Sequence, residues 1–192
     1  VIHHIAFDGW SSGIFLRELI KHYEYYKGCS EGKQLRLELK SLPIQYKDFA
    51  VWQRSYLSGA RLEEQLSYWK GKLNGHTELN IVTDYARPRE IDYRGANLEF
   101  RLDEEVSNGL RSLAQELKVS LYSLTLSAYY LLLRVYSGQD DIVVGSPIAN
   151  RHYTQAEDLI GFFVNTLALR VEIDNGCTLK GFIEAVGREV IS

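Results

Sequence analysis

Methionine is absent from the 192 residues, and cysteine occurs only twice, as Cys29 and Cys177. One pair of cysteines in a chain of this length is no disulfide framework and offers no metal-ligand spacing. Both are expected as buried or partly buried free thiols in a reducing cytoplasm. An excess of charge of one sign is also missing: 22 Lys and Arg against 25 Asp and Glu leave a formal net charge of −3. The basic residues are dispersed among acids, so nothing in the balance attracts nucleic acid. Long apolar runs are lacking too. The longest, Leu124 to Val135, is broken by Ser127 and stopped by Arg134, and is too short for a membrane span. No basic stretch followed by an apolar segment opens the chain, so nothing marks it for export. There is no initiator Met, a strand is expected already at Val1, and an amphipathic helix is still running at Ser192; the sequence reads as a piece of a larger protein. What is present is an ordinary globular balance, 45% hydrophobic and 24% charged, with length for one large domain or two small lobes.

Turn and cap signals divide the chain into mixed helices and strands. Val1 and Ile2 lead as a strand into His3-His4, and Asp8-Gly9 signals a turn. Ser11 or Ser12 is placed to cap a helix with Ile14, Phe15, Leu19, Tyr23 and Tyr26 at helical spacing, closed by Gly28. After a polar connection from Cys29 to Leu42, Pro43 opens a helix containing Tyr46, Phe49, Ala50 and Trp52. Leu62, Leu66, Trp69 and Leu73 mark the next helix, which ends at Asn74-Gly75. Thr83 to Arg94 reads as an extended crossing segment. Beyond it, Leu98, Phe100 and Leu102 alternate as in a half-buried strand. Asp103 then caps a helix carrying Val106, Leu110, Leu113 and Leu117, and Leu121 to Tyr136 is apolar nearly all round, as a largely buried helix is. Ile142 to Val144, ending at Gly145-Ser146-Pro147, and Phe162 to Val171 are strands; Leu179 to Val190 is a last helix. The order is that of an α/β (α+β) two-layer fold. Its parts are expected at residues 1–80, 81–95 (the crossing segment) and 96–192.

The segment His3-His4-Ile5-Ala6-Phe7-Asp8-Gly9 sits where a strand would pass into a loop and helix, a position that favours active sites. There His4 can present a ring nitrogen near neutral pH, Asp8 can hold the loop by pairing with an arginine, and Gly9 permits a close backbone approach. Taken alone, the pair reads more readily as core-edge histidines before an ordinary Asp-Gly turn. Neighbouring residues on a strand face opposite sides, so His3 and His4 are not expected to share a metal ion. Asp140-Asp141 reads as a turn before a strand. No metal site is expected.

Wider text changes the weight of this segment. His3 to Ser11, HHIAFDGWS, resembles the HHxxxDG signature of the condensation domains of non-ribosomal peptide synthetases. Tyr46 to Trp52, YKDFAVW, is similar to that family's YxDFAVW motif. Tyr93-Arg94-Gly95-Ala96 follows an RPR-type segment, Arg87-Pro88-Arg89. Ile160 to Thr166, IGFFVNT, resembles IGxFVNT. Gly138 to Asp141 and Gly145 to Arg151 also read as family text. The four blocks stand in the family's order and cover essentially the whole chain.

The resemblance implies two chloramphenicol-acetyltransferase-like lobes. Residues 1–80 would end the first lobe, 81–95 would cross, and 96–192 would begin the second; the parts of the family before HHxxxDG and after the VNT segment are absent from this chain. The implied reaction is attack of an acceptor α-amine on a donor thioester, each substrate arriving on the phosphopantetheine arm of a peptidyl carrier protein beside an adenylation domain. The domain itself is expected to bind no cofactor, nucleic acid or membrane. His4 matches the catalytic histidine, acting as base or as positioner of the amine. His3 is expected to be structural, its ring held against the preceding core. Asp8 is expected as a salt-bridge anchor, with Arg151 as partner and Arg170 as second choice. Gly9 either offers an amide to the oxyanion or serves only the turn. Trp10 and Asn165 are the candidates for the substrate tunnel, against packing for the tryptophan and strand-end bonding for the asparagine. Related readings are an epimerization domain, another HHxxxDG acyltransferase, and a non-catalytic scaffold that binds carrier proteins.

Overall fold

The computed structural model describes residues 1–86 and 88–191, so Arg87 of the crossing segment lies outside the described residues. Among the described residues six α-helices are formed: α1 (Gly9–Ser30), α2 (Tyr46–Tyr56), α3 (Gly59–Lys72), α4 (Glu104–Leu117), α5 (Leu121–Ser137) and α6 (Leu179–Ile191). Two strands, β1 (Asp141–Ile148) and β2 (Asn165–Glu172), pair in a two-stranded sheet. The amide of Ile173, just beyond β2, donates to the carbonyl of Asp140, just before β1, which sets the strands antiparallel.

Short polar side chains cap three of these helices. Asp8 caps α1 by accepting from the Ser11 amide, Asp103 caps α4 through Val106, and Ser120 caps α5 through Ser123. At α2 the Gln45 amide donates to Asp48 Oδ2 at 2.8 Å, half of a capping box. Left-handed residues stop α4 at Lys118 (φ 55°) and α5 at Gly138 (φ 70°).

The chain forms two compact units that interleave along the sequence. The first comprises residues 1–71 and 146–167, the second 72–145 and 168–192, so the chain changes unit inside β1 and again inside β2. These limits differ from the expected succession of 1–80, 81–95 and 96–192. In the first unit, Phe49 of α2 packs with Ala156, Leu159 and Phe163, flanked by Leu42, Ile44 and Tyr46. In the second, Ala114, Leu124 and Ile183 bring α4, α5 and α6 together. There Tyr130, fully buried on α5, donates its hydroxyl to the Leu169 carbonyl of β2 at 2.8 Å.

Several local expectations are corrected. Val1 and Ile2 form no strand; a single 3-10 turn at His4–Ala6 follows instead, satisfying its amides through the His3 side chain and the His3 and His4 carbonyls. The α1 cap is Asp8, not Ser11 or Ser12, because a carboxylate three residues before the Ser11 amide reaches it directly. Gly28 does not close α1. Leu35 lies against it so tightly that a Cβ there would come within 2.2 Å of Leu35 Cδ1, and the helix continues to Ser30. Pro43 precedes α2 by a loop. Residues 96–102 form no strand, since alternation alone leaves Leu98 and Phe100 exposed where no neighbouring strand takes their backbone bonds. β1 runs longer than expected at both ends, and β2 starts only at Asn165. Both cysteines are free and exposed rather than buried, Cys29 near the C-terminal end of α1 and Cys177 in the turn before α6.

Candidate active site

The HHxxxDG segment is held in place through one buried carboxylate. Asp8 is buried, 1% exposed, and accepts from four donors: the Ser11 amide (2.9 Å), the Ser11 hydroxyl (2.7 Å), the Phe163 amide (3.0 Å) and Arg151 Nη2 (3.1 Å). Burial pushes the Asp8 pKa up. The Ser11 hydroxyl, the Phe163 and Ser11 amides and the Arg151 charge outweigh that and hold it below the ordinary aspartate value.

Arg151 is equally enclosed. Its Nη1 donates to the Ala156 carbonyl at 2.5 Å and the Leu159 carbonyl at 2.7 Å, and its guanidinium lies 4.0 Å over the Phe163 ring. The buried Nε has no hydrogen-bond partner among the described residues, and the aromatic face beneath the group compensates part of its lost hydration. Arg170, the second choice of partner, instead binds Asp141 and the carbonyls of Lys72 and Asn74 within the second unit.

Ser11 completes the knot. Its single hydroxyl proton goes to the nearer acceptor, Asp8, while its oxygen accepts from the Gly161 amide (3.1 Å) and from Arg151 Nη2 (3.1 Å). The segment 160–163 is thereby fastened to the start of α1. Sequence reasoning assigned Ser11 only a possible capping role. The signal that could have found it is the Asp-x-x-Ser spacing, which puts the serine on the first turn of a helix capped by the aspartate.

On this base the two histidines differ. His3 is exposed, and its Nδ1 accepts from the Ile5 amide at 3.0 Å; it stabilises the 3-10 turn rather than lying against a core. His4 is exposed as well, with Nδ1 2.5 Å from the Phe7 carbonyl. A carbonyl can only accept, so Nδ1 carries a proton, and in the neutral ring the lone pair is at Nε2. The Phe162 ring meets the imidazole edge to face, with centroids 5.0 Å apart. Gly9 is the first residue of α1, so its amide is among those without an intrahelical partner, and space is open beside its Cα. Trp10 is half exposed and commits its indole N–H to the Glu157 carbonyl at 2.9 Å. Asn165 lies apart from these contacts, lining a cleft of about 550 Å³ with Trp52, Tyr56, Trp69, Asn150 and His152.

The family model described as "Condensation domain" matches residues 1–192. The chain belongs to the condensation-domain family. It is 44% identical over 192 residues to N-(5-amino-5-carboxypentanoyl)-L-cysteinyl-D-valine synthase of Amycolatopsis lactamdurans, covering 100% of this chain and 5% of that protein. Malpibaldin synthetase of Mortierella alpina is 42% identical over 191 residues, 99% of this chain and 3% of its own length. Among solved structures, a holo four-domain nonribosomal peptide synthetase bound to AMP and glycine superposes with a TM-score of 0.82 at 32% identity, over 99% of this chain and 14% of that one. The condensation-domain chain thus spans a small fraction of these relatives. Its fold is the chloramphenicol-acetyltransferase-like α/β fold of that family. Among the described residues, no group of three or more His, Cys, Asp and Glu could hold a metal ion, and no helix is long and apolar enough to cross a membrane.

Proposed function

We propose that this chain carries the catalytic loop of a peptide-bond-forming condensation domain acting between two carrier proteins in a cytoplasmic synthetase, next to an adenylation domain. The observation that supports it is the state of His4: Nδ1 commits its proton to the Phe7 carbonyl, leaving a basic Nε2 on a loop clamped by buried Asp8. In the proposed step the acceptor α-amine attacks the donor thioester carbon. A C–N bond forms, the C–S bond breaks after a tetrahedral intermediate, and the sulfur leaves on the donor's phosphopantetheine arm. The proton lost by the amine passes by way of Nε2 to the departing sulfur. Before attack the same Nε2 orients the amine by accepting its hydrogen bond. The Gly9 amide, at the positive end of α1, is the proposed donor to the oxyanion. Trp10 and Asn165 are proposed as tunnel residues. His3, Asp8 and Arg151 hold the loop and touch no substrate. In lobe terms, residues 1–80 end the first lobe, 81–95 cross and 96–192 begin the second.

The test follows the carrier-bound dipeptide by mass spectrometry, using the domain in full with loaded donor and acceptor carriers, wild type against His4→Ala. Product that depends on His4 is expected. Equal product from both proteins removes His4 from the chemistry. No product from a folded wild type with several substrate pairs favours a scaffold that binds carriers without reacting them.

A further inference from the structure

We propose that Phe162 and Tyr46 are positioning residues for His4, with Phe162 setting the orientation of its ring; the inference rests on the reading of His4 as the reacting residue. An imidazole tied by one hydrogen bond, Nδ1 to the Phe7 carbonyl, retains rotation about its side-chain torsions. The second restraint is the Phe162 ring, set at 88° to the imidazole with centroids 5.0 Å apart. In the family's motif as matched here, IGxFVNT, residue 162 falls on the open position, so the motif itself gives that side chain no role.

A wall is useful only if it is rigid, and both neighbours of Phe162 are fixed. On one side Gly161 donates to Ser11 Oγ, and the Tyr46 ring lies close against it; a Cβ at 161 would stand 2.3 Å from Tyr46 Cδ2. On the other side Phe163 is buried in the first unit's core and donates its amide to Asp8. Tyr46 closes the arrangement by donating its hydroxyl to the Phe162 carbonyl at 2.7 Å. The carboxylate that anchors the histidine loop therefore also anchors the backbone that carries the ring beside His4. The two restraints on the imidazole share one rigid base, which fixes the direction of the Nε2 lone pair.

The test labels histidine nitrogens in the full domain and reads the His4 tautomer from ring nitrogen couplings in the neutral form, with His4→Gln assigning the signal. Wild type is expected to show one Nδ1–H form. Phe162→Leu and Tyr46→Phe should give an averaged signal, while Phe162→Tyr, which keeps an aromatic edge, stays near wild type. In dipeptide formation, Phe162→Leu is expected to lose about tenfold and Tyr46→Phe about threefold in kcat, with KM for both carriers nearly unchanged; Phe162→Tyr recovers most of the loss. An unchanged tautomer and kcat in Phe162→Leu overturns the proposal, as does an effect on KM alone. A wild type that makes no dipeptide while the tautomer still shifts overturns the reaction assigned to His4 and supports the positioning.

Discussion

At the scale of single residues, Asp8, Arg151 and Ser11 act as one unit, and the cost of breaking it is set by what is left behind. Removing one partner of a buried pair strands the other charge without water. Asp8→Ala and Arg151→Leu are each expected to lower stability by about 3–5 kcal/mol in urea unfolding. The double variant should lose clearly less than the sum, because removing the second partner removes a charge already stranded. Ser11→Ala deletes a hydroxyl that serves three partners in a dry site and should cost about 1–3 kcal/mol. By contrast, His4→Ala removes an exposed side chain, and its urea midpoint should stay near wild type. That contrast separates the loop's anchor from the residue proposed to react. The motif text puts Asp8 forward as anchor with Arg151 as its first-choice partner, and that pair is formed; the roles of His4 and Gly9 stand as proposals. Phe162 was not legible, since a ring at an open motif position carries no local signal, and the Asp-x-x-Ser spacing that marks Ser11 does not reach its bond to Gly161, 150 positions away.

Helices were readable as elements even where their first residues were not, and strands were the least readable. Asp103 reads as a cap and is one, because an N-cap needs only the amides of its own first turn, whereas at α1 the reading of Ser11 or Ser12 gives way to Asp8. A strand needs a partner, which is why the alternation of residues 96–102 did not become one. Two substitutions test the element boundaries. Lys118 ends α4 in the left-handed region at φ 55°, a conformation that costs most L-residues about 1–2 kcal/mol. Lys118→Gly is therefore expected to stabilise by about 0.5–1 kcal/mol, after the glycine's greater freedom in the unfolded chain is subtracted. Gly161→Ala drives a methyl group into the Tyr46 ring and should destabilise by about 1–3 kcal/mol, read as a lower urea midpoint.

For the whole molecule, pH is the variable that reaches both units. Asp8 in the first unit has its pKa held down against burial by its donors, and Asp141 in the second has its own lowered chiefly by the Arg170 hydrogen bonds. A depressed folded-state pKa contributes stability that is fully present above the unfolded value and lost as pH falls through the folded one. Stability should therefore hold near neutrality and decline with acid from about pH 5 downward. All three tryptophans, Trp10, Trp52 and Trp69, lie in the first unit, so their fluorescence reports that unit's acid transition. Asp8→Asn is expected to flatten the fluorescence-detected pH dependence while lowering stability at neutral pH. An unchanged slope would show that other carboxylates carry the acid response.

By itself the sequence determined the family and the helices, and it named Asp8 as the loop's anchor. Those follow from caps, apolar periods and motif spacings that are written within a few residues of one another. Only the tertiary structure decided that Asp8 meets Arg151 rather than Arg170, that the chain builds two interleaved units, and that Phe162 faces His4. Such outcomes depend on which distant segments can be buried together with every donor and acceptor satisfied, a condition on the folded chain as a whole.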